Sequence, residues 1–211
     1  MARLTDLIEG YRRFRKSGWQ RERERWSELA EGQSPKVMVI ACSDSRVDPA
    51  QIFDCKPGEI FVVRNVANLA PPYETTPGRH GVSAALEFAV TQLEVDEIIV
   101  LGHGSCGGCA AALTGQFDEA EDGGGHFIAE WVELLRPARD AVRSRHPTDS
   151  ADAILEMELE AIRVSLANLR TFPWIAEREN AGKISLHGAH FAIAEGRLYV
   201  LDEAETVFRP A

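Results

Sequence analysis

What this chain of 211 residues has little of narrows its function before any motif is read. No apolar run approaches the roughly 20 residues that a bilayer-spanning helix needs, so no membrane association is expected. Basic residues are outnumbered: 23 Lys and Arg against 33 Asp and Glu leave a formal charge of −10. Nucleic acids and anionic membrane surfaces reward clustered Lys and Arg, so neither is an expected partner. A small anion can still find a local pocket. The first residues, "MARLTDLIEGYRRFRKSGWQ", hold no apolar secretory core, and Asp6 and Glu9 argue against a transit peptide. A cytoplasmic location is expected. Cysteine is sparse as well, with Cys42, Cys55, Cys106 and Cys109. In a reducing cytosol these point to metal binding, redox chemistry or burial rather than to a disulfide framework. No internal repeat is present, and low complexity is confined to "DGGG" at 122–125.

What is present reads as an ordinary globular chain, 45% hydrophobic and 27% charged, long enough for one sizeable core. Residues 1–34 read as a helical arm: Leu4, Leu7, Ile8 and Tyr11 fall at helical spacing and Gly18 interrupts. Trp19 and Trp26, seven apart, are expected on one face, which can grip a partner subunit or pack on its own domain. From residue 35 the pattern changes. "VMVIAC" (37–42), "GEIFVVRN" (58–65) and "DEIIVLGH" (96–103) are apolar runs of the kind that form strands buried on both faces. Helical stretches lie between and after them, at 80–94, 109–115, 127–146 and 151–172. "KISLHGAHFAIAEGRLYVLDE" closes the chain as a strand pair turning at Glu195-Gly196. Alternating strands and helices predict an α/β fold: a mostly parallel sheet of four to five strands with an antiparallel edge strand, flanked by helices. The domain then covers 35–211.

Two strands end in reactive groups. "ACSDSRVD" follows the first and "GHGSCGG" follows the third, at the sheet end where α/β folds collect function. His103 and Cys106 sit in a turn that Gly102, Gly104, Gly107 and Gly108 make permissive. With Cys42 from a neighbouring strand they offer two thiolates and an imidazole, a set suited to Zn²⁺. Three protein ligands leave the fourth tetrahedral position open, as in catalytic sites. Cys109 leaves two other readings open: a C-x-x-C redox pair with Cys106, or a fourth ligand of a closed structural zinc site. Neither gives Asp44 and Arg46 a task. An arginine holding a carboxylate through two parallel hydrogen bonds keeps it ionised and off the metal. Cys55 reads as a small buried residue.

"ACSDSRVDP", "PGEIFVVRNVAN" and "IIVLGHGSCGG" resemble the three signature blocks of the β-class carbonic anhydrases, and "GQSPK" and "VSLANLRTFPWI" extend the likeness from about Gly32 to Asp202. The blocks are closer to the plant-type branch. The resemblance implies reversible hydration of CO₂ to bicarbonate and a proton, through hydroxide on one zinc ion per subunit. It makes Cys42, His103 and Cys106 the ligands, makes Asp44 and Arg46 the catalytic dyad, and leaves Cys109 outside the metal set. It also implies a substrate pocket at a dimer interface, formed by Gln33, Phe61, Val66, Phe88 and the Gly107 N–H, in a homodimer or a higher form such as a tetramer. A tyrosine is usual where Phe88 stands. Relatives on the same fold hydrolyse CS₂ or COS, which is the alternative activity. Some relatives close the site when bicarbonate binds a Trp, an Arg and a Tyr. The matching residues here are Val39, Arg64 and Phe191, so that lock is expected to be lost and Asp44 to pair with Arg46.

Overall fold

Side chains alternate along the first strand: Met38 and Ile40 enter one core and Val39 and Ala41 another, and all four are buried. A strand buried on both faces has no polar positions, which is why "VMVIAC" reads as a continuous apolar run. The computed structural model describes residues 3–118 and 126–211, so the "DGGG" segment lies outside it. Two compact units are present, Met1–Ser34 and Pro35–Ala211.

The N-terminal unit is three helical pieces: α1 (Leu4–Lys16), α2 (Gly18–Arg21) and α3 (Arg23–Glu31). A break at Glu22 places Trp19 and Trp26 on different helices, so the seven-residue spacing does not put them on one continuous face. Instead Phe14 meets Trp26 edge to face at 5.8 Å, tying α1 to α3, and the Arg15 guanidinium lies 4.2 Å over the Trp19 ring. Leu4, Leu7, Ile8 and Tyr11 remain exposed along α1.

In the second unit β1 (Val37–Cys42) leads through α4 (Pro49–Ile52) to β2 (Ile60–Asn65). α5 (Gly81–Glu87) and a π turn (Phe88–Gln92) then lead to β3 (Glu97–His103). α6 (Gly107–Thr114), α7 (His126–Val132), α8 (Arg136–Arg145), α9 (Ala151–Leu169) and α10 (Pro173–Asn180) follow. The chain closes with β4 (Ser185–Ala192), β5 (Arg197–Asp202) and β6 (Val207–Pro210). The helix expected over 127–146 is divided where Pro137 enters the first turn of α8, a position that suits proline but not a helix interior.

The sheet order is β2-β1-β3-β4-β5-β6. β2, β1, β3 and β4 run parallel, and β5 and β6 are added antiparallel. β6 is one strand more than the sequence pattern suggests, because four residues ending in Pro210 carry too little alternation to be read alone. Its edge position tolerates that proline. α9 lies directly on the sheet: a Cβ on Gly102 or Gly188 would come within 2.8 and 2.7 Å of the Ile162 side chain, so the close approach requires glycine at both.

From β1 the chain steps to β2 on one side and then crosses to β3 on the other. The connections leaving β1 and β3 therefore diverge, opening a crevice beyond their C-terminal ends. Cys42 ends β1 and His103 ends β3.

Candidate metal centre

The loop after β1 is shaped chiefly by Arg64, on β2. Its Nε donates to the Cys42 carbonyl at 2.8 Å, and its Nη2 to the carbonyls of Asp44 at 2.6 Å and Val47 at 2.9 Å. Nη1 pairs with Asp48 at 3.2 Å. Those bonds curl residues 42–48 into a tight turn under the strand end. The residue that sequence comparison associates with a bicarbonate pocket is thus committed to backbone carbonyls, while Val39 is fully buried and Phe191 half-buried.

On that turn Asp44 and Arg46 form a two-pronged pair: Nε to Oδ1 at 2.9 Å and Nη2 to Oδ2 at 2.7 Å. The Arg46 backbone N–H adds a third bond to Oδ1 at 2.9 Å. The Arg46 side chain, with its backbone N–H next, holds the Asp44 carboxyl well below the usual carboxylate range. Arg46 also donates to the Ser105 carbonyl at 3.0 Å, joining the two loops.

The second loop is not shaped as the run of glycines suggests. Its left-handed residue is Ser105, at φ 58°. Gly108 serves close packing instead: a Cβ there would sit 2.7 Å from Val66 Cγ1 and 3.0 Å from the Ala67 Cβ. Cys106 is the N-cap of α6, which sets its sulfur at the positive end of the helix dipole.

Cys42, His103 and Cys106 are all buried, and their donor atoms lie within 4.8 Å of one another. The two sulfurs are 3.9 Å apart, close to the ~3.8 Å edge of a tetrahedron with metal–sulfur bonds of about 2.3 Å. His103 Nδ1 lies 3.0 Å from the Gly104 carbonyl. A carbonyl can only accept, so Nδ1 carries the proton and Nε2 keeps its lone pair. That Nε2 is buried without a hydrogen-bond partner among the described residues, 4.0 Å from Asp44 Oδ2. Contact with the Cys106 thiol, then burial, pushes the Cys42 thiol up to about 12. Contact with Cys109, with burial adding, pushes Cys106 up to about 12. Burial works to lower the His103 imidazole, but the neighbouring Cys42 sulfur and the Gly104 carbonyl raise it overall. Two crowded thiols that are unfavourable as anions without a cation, beside a neutral imidazole nitrogen with a free lone pair, fit a metal ion.

Cys109, one turn into α6, is buried beside this group but is not one of the three. Cys55 is half-buried rather than fully so, its thiol 3.7 Å from the Phe53 carbonyl. Val66 follows β2 directly and packs at Gly108, so the structure brings Val66 and Gly107 to the metal group. Phe61 and Phe88 are placed elsewhere. Phe61 is level with Met38, four residues before Cys42 and its partner Asn65, or about 13 Å down the sheet at ~3.3 Å per residue. The two rings pair with each other at 5.9 Å. Gln33 is exposed in the N-terminal unit.

Three protein donors leave a tetrahedral ion one open position, the arrangement of catalytic rather than structural centres, so fold and site define a metal-dependent α/β enzyme. The carbonic anhydrase family model matches residues 37–198. The chain is 36% identical over 191 residues to beta carbonic anhydrase 3 of Arabidopsis thaliana, covering 90% of this chain and 73% of that one. Among solved structures, the β-carbonic anhydrase CcaA superposes with a TM-score of 0.91 at 34% identity, covering 99% of this chain and 92% of that one. One of two tetrameric β-carbonic anhydrases from Sordaria macrospora gives a TM-score of 0.77 at 28% identity, covering 93% and 95%. The chain belongs to the β-class carbonic anhydrases. Its reaction is the reversible hydration of CO₂ to bicarbonate and a proton, and these relatives do not favour the CS₂ or COS alternative.

Proposed function

We propose that the reaction runs on one Zn²⁺ per chain held by Cys42, His103 and Cys106, with Asp44 and Arg46 as the catalytic dyad. The observation that carries this is the unpartnered, buried His103 Nε2 facing two sulfurs, with the Asp44 carboxylate alongside. Bound there, zinc supplies Lewis acidity that brings the pKa of a water to roughly 7. Asp44, fixed by Arg46, would accept a hydrogen bond from the attacking water and orient its lone pair toward the carbon of CO₂. The Gly107 N–H opens α6 and has no acceptor within the helix, so it can donate to the oxygen that becomes charged. Val66 offers the apolar wall suited to a substrate without a dipole.

Phe61 and Phe88 are too far from their own metal group to line it, yet Phe88 stays 45% exposed. A second copy that brings these rings to the site accounts for both facts. We therefore extend the proposal to a homodimer or a tetramer, which the tetrameric Sordaria relatives support. Gln33 keeps the substrate-binding role implied by the family likeness. Residues 1–34 serve as an arm and 35–211 as the catalytic domain. Ligand thiols that must stay reduced suit the cytoplasm. Stopped-flow CO₂ hydration, with zinc analysis before and after chelation, tests the reading. Activity and one zinc per chain are expected to disappear together and return on zinc addition. Activity that survives full chelation overturns it. Light scattering on the eluted protein reads the oligomer, and an active monomer refutes the shared pocket.

A further inference from the structure

Behind Cys106 lies a buried, hydrogen-bonded carboxyl–imidazole pair that the hydration step does not touch. Glu158 on α9 is 2% exposed and His190 on β4 is 3% exposed. Glu158 Oε1 accepts the Cys106 N–H at 2.9 Å, and Oε2 lies 3.0 Å from His190 Nε2. A carboxylate is costly to bury, and an apolar side chain of similar volume would pack there without that cost. Its two oxygens instead join three separate elements: α9, β4 and the loop after β3.

The Cys106 N–H and the Ser105 carbonyl belong to one peptide unit. Arg46 Nη2 donates to that carbonyl at 3.0 Å while Glu158 accepts from the N–H at the opposite edge. One peptide plane is therefore held from both sides, by the guanidinium that grips Asp44 and by the carboxylate that His190 grips. Holding is needed here, because Ser105 occupies the left-handed region at φ 58° without being glycine. Relaxing that residue would rotate the plane and swing Cys106, the next residue along.

We propose that Glu158 and His190 are positioning residues that, opposite Arg46, clamp the Ser105–Cys106 peptide and so set where Cys106 presents its sulfur. This rests on Cys106 being a zinc ligand. His190 fixes the carboxylate, the carboxylate fixes the peptide, and the peptide fixes the metal donor. The acceptor on Cys106 N–H matters in this scheme, and the negative charge does not.

The test is the half-life of zinc in the purified holoenzyme under excess chelator, with the thiolate-to-metal absorption of the cobalt-loaded form as a second readout. Thermal unfolding confirms that each variant is folded. Glu158→Leu and His190→Ala are expected to shorten the half-life by about 10- to 100-fold, the usual effect of losing a ligand's supporting partner, and to shift the cobalt band. Glu158→Gln keeps an oxygen for the Cys106 N–H and an amide for His190, so it should stay within the wild-type order of magnitude. Wild-type half-lives in both disruptive variants overturn the proposal, and so does a Glu158→Gln as fast as Glu158→Leu. If Glu158→Leu does not fold, His190→Ala decides alone. A wild-type protein that takes up no zinc overturns the metal reading itself, an outcome distinct from a zinc protein whose variants behave like wild type.

Discussion

Arg46 grips Asp44 with two parallel hydrogen bonds, and the carboxylate so held stands 4.0 Å from the ring nitrogen of His103 that has no partner among the described residues. Asp44 is close enough to a metal to become a ligand, and Arg46 occupies both of its oxygens. Whether the open position stays open depends on that grip.

Removing the carboxylate charge should therefore abolish orientation without removing the metal. Asp44→Asn is expected to lower kcat/KM for CO₂ hydration by about 10²- to 10⁴-fold, the range of a positioned acid–base group, while zinc content stays at the wild-type level. Arg46→Lys should not restore what Arg46→Ala loses, because a lysine cannot make the two-pronged bond. Stopped-flow assays paired with metal analysis check both.

Acid is expected to test the same pair from the stability side. The folded Asp44 pKa lies below its unfolded value of about 3.9. Its contribution is therefore complete above that unfolded value and is lost as pH falls toward the folded one. Thermal melts of wild type and Asp44→Asn should differ by a constant amount from pH 6 to 8 and converge below about pH 4. A gap that closes near neutrality would contradict this.

Zinc uptake should release protons. The Cys42 and Cys106 thiols, pushed up to about 12, are protonated in the metal-free protein at neutral pH, and zinc takes thiolates. Titration calorimetry at pH 8 in buffers of different ionisation enthalpy should report about three protons per zinc, two from the thiols and the third from the water whose pKa zinc brings to roughly 7. Below neutral pH the proton from that water should drop out of the count, while the raised His103 adds one of its own.

Cys109→Ser separates a three-donor centre from a four-donor or redox one. The variant is expected to keep one zinc and its activity, since Cys109 lies outside the group of three. It should lose about 1–3 kcal/mol of stability, because a hydroxyl replaces a buried thiol. Loss of the metal would show that Cys109 is a ligand.

Gly108→Ala should be costly although the residue is helical. The added methyl meets Val66 and Ala67, including the Ala67 backbone nitrogen at 3.3 Å. A destabilisation of about 1–3 kcal/mol in urea unfolding is expected. Gly107→Ala meets nothing within 4 Å and serves as the control.

Much of the site was legible because its donors end strands. An apolar run that stops at "CSDSR" and another that stops at "HGSC" mark both strand ends without any coordinates, and parallel pairing then brings them near. Other parts left no such trace. The family likeness ties Arg64 to a bicarbonate pocket, but its grip on three carbonyls depends on β2 lying beside β1. Glu158 and His190 sit in a helix and a strand 32 residues apart, with nothing local to pair them. Signal for them exists only as charged groups at positions where the helical and strand patterns call for apolar ones.

By itself the sequence determined the α/β class, the chemistry of the donors and the partner of Asp44. Apolar periodicity dictates strands and helices, and residues two apart on one turn meet whatever the rest of the chain does. Only the tertiary structure decided that Ser105 rather than a glycine makes the strained turn and that Phe61 and Phe88 stand away from their own metal group. The same holds for the Cys106 peptide, held by Glu158 from behind. Those facts depend on strand order and register, which arise from the packing of residues far apart in the chain, and no local pattern encodes them.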